Sequence, residues 1–72
     1  MFIILFKGMT FEVVARGRAK AVLQAAYMAT KLPEGSIPTP RFLHYMPNGA
    51  VYLVVIEGNT FSAIVVDVKK GK

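Results

Sequence analysis

The sequence has no cysteine and no tryptophan, one histidine and four acidic residues in 72. Without cysteine there is no disulfide and no thiolate chemistry. His44 stands alone, and Glu12, Glu34, Glu57 and Asp67 are scattered, so no metal-ligand cluster and no carboxylate pair for acid–base work is spelled out. No metal and no cofactor is expected. Long apolar runs are missing as well. Met1-Phe-Ile-Ile-Leu-Phe6 is short of the roughly 20 residues a spanning helix needs, and Glu57, Gly58 and Asn59 interrupt the longest later stretch. No basic segment precedes the first run and no small-residue cleavage site follows it, so the reading is a cytoplasmic protein with no membrane partner. There is neither a Walker loop nor a complete dinucleotide fingerprint.

What is present argues for one small folded unit. Hydrophobic residues make up 54% and charged residues 18%, which excludes a disordered chain. At 72 residues a single domain spanning 1–72 is the only arrangement with room for a core. Nine Lys+Arg against four Asp+Glu leave a net charge of +5, which suits an anionic partner.

The pattern along the chain predicts one main helix on a mostly antiparallel sheet of four or five strands, an α/β (α+β) domain. Phe2–Phe6 is β-branched and aromatic and stops at Lys7-Gly8, a buried strand. Thr10–Ala15 reads as a second strand, and Ala19–Lys31, rich in Ala, Leu, Gln and Met, as the helix, closed by Pro33 and Gly35. Residues 33–40 hold three prolines and form an irregular connection. Arg41–Met46 is a short strand turned by Pro47-Asn48-Gly49. Ala50–Glu57 and Thr60–Val68 are the strongest strand signals, joined by Gly58-Asn59 as a two-residue hairpin turn. Lys69–Lys72 is a basic, frayed tail.

Both main elements are apolar on more than one side. On the helix, Ala19, Val22, Leu23, Ala26 and Thr30 line one face and Ala21, Ala25, Met28 and Leu32 another, with only Lys20, Gln24 and Lys31 as a polar stripe. In the hairpin, Tyr52, Val54 and Ile56 share a face with Phe61, Ala63 and Val65. Val51, Leu53 and Val55 lie beside Ser62, Ile64 and Val66 on the other. A sheet with one wet side alternates more cleanly. The expectation is a homodimer or higher homo-oligomer.

Ala15-Arg16-Gly17-Arg18-Ala19 falls where a strand hands over to the helix. Unpaired N–H groups already make a helix start positive, so arginines there are unfavourable unless an anion is bound. A phosphate would accept from those N–H groups while Arg16 and Arg18 clamp it, Gly17 would allow close backbone approach, and Lys20 lies nearby. The plain alternative is a turn glycine between two solvated arginines.

The segment Glu12-Val-Val-Ala-Arg-Gly-Arg-Ala-Lys-Ala-Val22 resembles the second strand and following helix of the Alba family of archaeal chromatin proteins. Phe61-Ser-Ala-Ile-Val-Val-Asp-Val-Lys-Lys70 is similar to that family's last strand with its basic ending. The resemblance covers about half the chain. It implies a dimeric, Alba-like domain that binds DNA or RNA through the backbone with little sequence preference. Arg16 and Arg18 would contact phosphates, and Lys7 would be a remnant of the family's first phosphate loop. The nucleic-acid-binding set is therefore Arg16, Gly17, Arg18, Lys20 and Lys7. The chain departs from the family in lacking a first helix after Phe6, in lacking two residues between Ala19 and Lys20, and in its acidic hairpin tip at Glu57. Arg41–Met46 has no counterpart in the family pattern.

The expected function is sequence-nonspecific nucleic-acid binding by a small basic dimer of chromatin type, not an enzyme. The alternative from another class is a non-enzymatic oligomerisation or regulatory module with an incidental anion site. A small ribonuclease is the remaining reading, with His44 as acid or base, Arg41 or Arg16 on the phosphate, and Tyr45 or Tyr52 stacking a base.

Overall fold

Phe2–Phe6 forms strand β1 with the limits its composition predicts. The computed structural model describes residues 1–30, 32 and 36–68 of the chain. Strand β2, Met9–Val13, follows directly after a two-residue turn. Lys7 (φ 52°) and Gly8 (φ 74°) both occupy the left-handed region, as a type I′ turn requires, and its twist matches that of paired strands. Strand β2 ends at Val13 and not at Ala15, because its last partner is Phe2 at the start of β1. Val14, beyond that pairing, is exposed.

The helix α1, Arg18–Ala29, starts one residue before the expected limit and ends two residues before it. The Thr30 amide and hydroxyl both donate to the Ala26 carbonyl, at 3.1 and 2.9 Å, and Thr30 itself is extended, so the helix stops there. Strands β3 (Thr39–Met46), β4 (Gly49–Ile56) and β5 (Asn59–Asp67) complete one sheet in the order β2-β1-β5-β4-β3, antiparallel throughout. Strand β1 pairs on both sides within its own chain, with β2 and β5. Strand β3 begins at Thr39, inside the stretch read as irregular. It is an edge strand, where Pro40 is tolerated because its missing N–H leaves no ladder bond unmade.

The turn between β4 and β5 lies one residue earlier than expected. Glu57 (φ 51°) and Gly58 (φ 81°) are its central residues and Ile56 pairs with Asn59. A type I′ turn needs positive φ twice, and this placement puts glycine at the second position, as in Lys7-Gly8. The register moves by two residues, so the faces keep the composition the alternation predicts: Tyr52 pairs with Ala63, Val54 with Phe61.

Helix α1 crosses one face of the sheet and closes the core over it. Ile4, Phe6, Val13, Val54, Ile56, Ala63 and Val65 from the strands meet Ala21, Val22, Ala25 and Ala26 from the helix. Three of those four helix residues are alanine, so the backbone of α1 lies close to the sheet. The buried stripe takes Val22 and Ala26 from one expected face and Ala21 and Ala25 from the other, because they adjoin on the side turned to the sheet; Ala19, at the start of the first face, and Met28, on the second, are exposed. Tyr27, between the two faces, is exposed as well. Leu32 packs at the margin of the core. The tail 69–72 and Lys31 lie outside the described residues. No helix among the described residues is long and apolar enough to cross a membrane.

Candidate nucleic-acid interface

The β2–α1 junction and the end of β5 meet at one end of the sheet. Phe2 pairs with Val13 on one side and with Asp67 on the other, which places Asp67 on the face that α1 covers. The first residue of the helix, Arg18, reaches it. Its Nε donates to Oδ1 at 3.0 Å and its Nη2 to Oδ2 at 2.5 Å, a two-point pair with both side chains about one-third exposed (32% and 34%). These hydrogen bonds raise the Arg18 pKa further and hold the Asp67 carboxyl below its ordinary value, with desolvation opposing both shifts. The guanidinium also lies 5.7 Å from the centre of the Tyr45 ring.

Part of the charge anomaly at the helix start is thus resolved within the chain, since Asp67 supplies an anion for Arg18. The remainder is not. Arg16 and Lys20 are exposed, and neither takes part in an ion pair among the described residues. The first turn of α1 holds no acidic residue, and no side chain caps its N–H groups. Gly17, the N-cap, is extended (φ −148°), a conformation open to any residue, and a Cβ there would meet nothing within 4 Å. The fold does not require glycine at 17. What its absence of a side chain leaves is bare backbone between Arg16 and the free amides of the first turn.

Lys7 is not part of this group. It sits in the β1–β2 turn at the opposite end of β1, with Nζ 4.8 Å from the Phe61 ring centre. Arg16, Gly17, Arg18 and Lys20 are brought together, Lys7 is set apart, and the β4–β5 turn near Lys7 carries Glu57.

An exposed aromatic pair reaches the basic end through Tyr45. The register of β3 shifts between Phe42 and His44, leaving Leu43 as an extra residue. That bulge puts Phe42 and Tyr45, three apart, on the same face, with ring centres 4.7 Å apart. Tyr45 is 71% exposed and Phe42 49%, and Tyr52 packs edge-on behind Phe42 at 5.8 Å. No periodicity in the sequence signals this pair, and only the bulge creates it.

The residues of the ribonuclease reading do not converge. His44 pairs with Val51 and Arg41 with Leu53, on the sheet face away from the helix, and the His44 Nδ1 lies 3.1 Å from the Tyr45 carbonyl. Tyr45 and Tyr52 stand on the helix side. Among the described residues there is no enclosed pocket and no group of three metal-ligating side chains.

No protein-family model, no curated protein and no solved structure matches the chain.

Proposed function

We propose that this protein binds nucleic acid through the phosphate backbone, without reading sequence, and does so as a homo-oligomer. One observation carries the reading. Arg16 and Lys20 flank an uncapped helix start whose N-cap is a glycine that the fold itself does not need. Free amides, a positive helix end and two cations without an ion pair among the described residues make up a phosphate site in which Arg18 is the part anchored by Asp67. The similarity of residues 12–22 to the Alba strand–turn–helix supports the same assignment. Tyr45, exposed beside Arg18 with Phe42 packed against it, adds a ring on which an unpaired base could stack.

The test is binding of random-sequence duplex and single strands to wild type and to Arg16→Ala/Lys20→Ala. Arg18 is left in place so that its pair with Asp67 keeps the helix start intact. Loss of most affinity in a folded variant is expected. Undiminished binding would place the site elsewhere.

A second reading is favoured by a separate observation, the apolar sheet face away from α1, over which no described residue packs. On that reading the chain is an association module and the anion site is incidental. Wild type that associates and binds no nucleic acid at low salt would decide for it.

A further inference from the structure

The face of the sheet turned away from α1 is apolar across its middle. Ile3 and Leu5 of β1, Ile64 and Val66 of β5, and Val51 and Leu53 of β4 stand there side by side. Leu5 is 40% exposed, and the others are partly exposed, shielded by neighbouring strands. No described residue packs over this face. Five strands of 5 to 9 residues, about 4.8 Å apart and rising about 3.3 Å per residue, make a face of roughly 24 by 20 Å, or about 500 Å². Two such faces bury about 1,000 Å², the lower bound for a specific protein–protein contact.

The geometry points to a second copy of the same chain as the occupant, packed sheet against sheet about a two-fold axis. This rests on the proposal that the protein works as an oligomer, and it names the surface and the partner. The borders of the face suit its own copy. Glu12 stands on β2 at one edge, and Arg41 and His44 stand on β3 at the other. A two-fold axis along the strands lays the β2 edge of each copy over the β3 edge of the other. Glu12 of each copy then lies on the same border as Arg41 of the other, offset along the strands because Glu12 is level with Met46, and like edges are kept apart. The middle holds no cation, so an acidic protein or a lipid headgroup layer has nothing there to meet. The same axis carries Arg16 and Lys20 of both copies to one end of the sandwich, where a single nucleic-acid backbone could reach the two sets.

The experiment is sedimentation equilibrium of the whole chain without nucleic acid. Wild type should run at twice 7.9 kDa. Leu53→Glu places a charge in the middle of the contact and should raise the dissociation constant about 100-fold or more, with an unchanged far-UV circular dichroism spectrum. Ser62→Arg does the same from a position that is already exposed on this face, so a folding defect at Leu53 would not mask the result. Met28→Glu, on the outer surface of α1, should leave the dimer intact. A monomeric wild type would overturn the assignment, as would dissociation by Met28→Glu with Leu53→Glu and Ser62→Arg still dimeric. Nucleic-acid binding by a strictly monomeric chain would sink the dimer and spare the phosphate site. A dimer that binds no nucleic acid would do the reverse.

Discussion

Arg18 and Asp67, 49 residues apart in sequence, join the start of the helix to the end of the last strand through two hydrogen bonds of 3.0 and 2.5 Å. The pair divides the work among the basic residues of the turn. Arg18 holds the helix start on the sheet, and Arg16 and Lys20 remain available to a ligand.

Acid should remove that anchor. The Asp67 carboxyl is held below its ordinary value by the hydrogen bonds from Arg18. The stabilisation is therefore complete above the ordinary aspartate value of about 3.9 and is lost as pH falls through the lower folded value. Thermal melts of wild type and Asp67→Asn should differ at pH 7 and converge in strong acid. The gap should shrink in high salt, because both groups are about one-third exposed (32% and 34%). A gap that widened in acid would contradict the assignment.

Division of labour between the arginines predicts different variant behaviour. Arg16→Ala should weaken nucleic-acid binding and leave the melting temperature unchanged, whereas Arg18→Ala should lower the melting temperature by freeing Asp67. Gly17→Ala should stay within about 1 kcal/mol of wild-type stability, since alanine accepts this backbone conformation. Its methyl group would still stand between the phosphate and the first-turn amides. Weaker binding with near-native stability is the expected combination, and unchanged binding would remove Gly17 from the site.

Gly49 is a glycine of another kind. A Cβ at this position would overlap the Val65 carbonyl oxygen and lie 2.8 Å from its carbon. The close approach sits beside Asn48, whose carbonyl accepts the Asp67 amide at 2.7 Å, so it also sets the strand end that carries the carboxylate. Gly49→Ala should cost about 3 kcal/mol or more in a urea melt. A cost under about 1 kcal/mol would show that the strands separate there without strain.

The hairpin turns offer the opposite sign. Glu57 is held at φ 51°, which is unfavourable for a side chain of its kind. Glu57→Asn places the preferred Asn-Gly pair in the type I′ turn and should stabilise the fold by about 0.5–1 kcal/mol, roughly 2–8 °C in a domain this small. A lower melting temperature would mean that the 3.3 Å hydrogen bond from the Ser36 hydroxyl to Glu57 outweighs the backbone term.

What could be read in advance follows from how local each feature is. Strand β1 and the alternation of β4 and β5 are written in contiguous residues, and the structure reproduces them. The Glu57-Gly58 turn was one residue away from the expected one, because two glycine-containing dipeptides overlap there and only the positive φ of both central residues selects between them. Thr39 and Pro40 look like loop until β3 is known to be an edge strand. The group Arg16, Gly17, Arg18 and Lys20 was legible because it is continuous in sequence. Its tie to Asp67 depends on strand order across the sheet, and the Phe42–Tyr45 pair depends on a bulge at Leu43. No spacing rule announces either one. Resemblance alone links Lys7 to the site, and the strand length of β1 puts it at the far end.

The phosphate site stands or falls with the salt dependence of duplex binding, followed by fluorescence anisotropy with wild type and Arg16→Ala/Lys20→Ala side by side. Two copies contributing two free cations each neutralise about four phosphates. The slope of log K against log salt should then be about −3.6, a loss of about 10² in affinity between about 50 and 200 mM. The double variant should bind weakly with a nearly flat slope. Equal slopes in the two proteins, or no binding by wild type at low salt, would contradict the account.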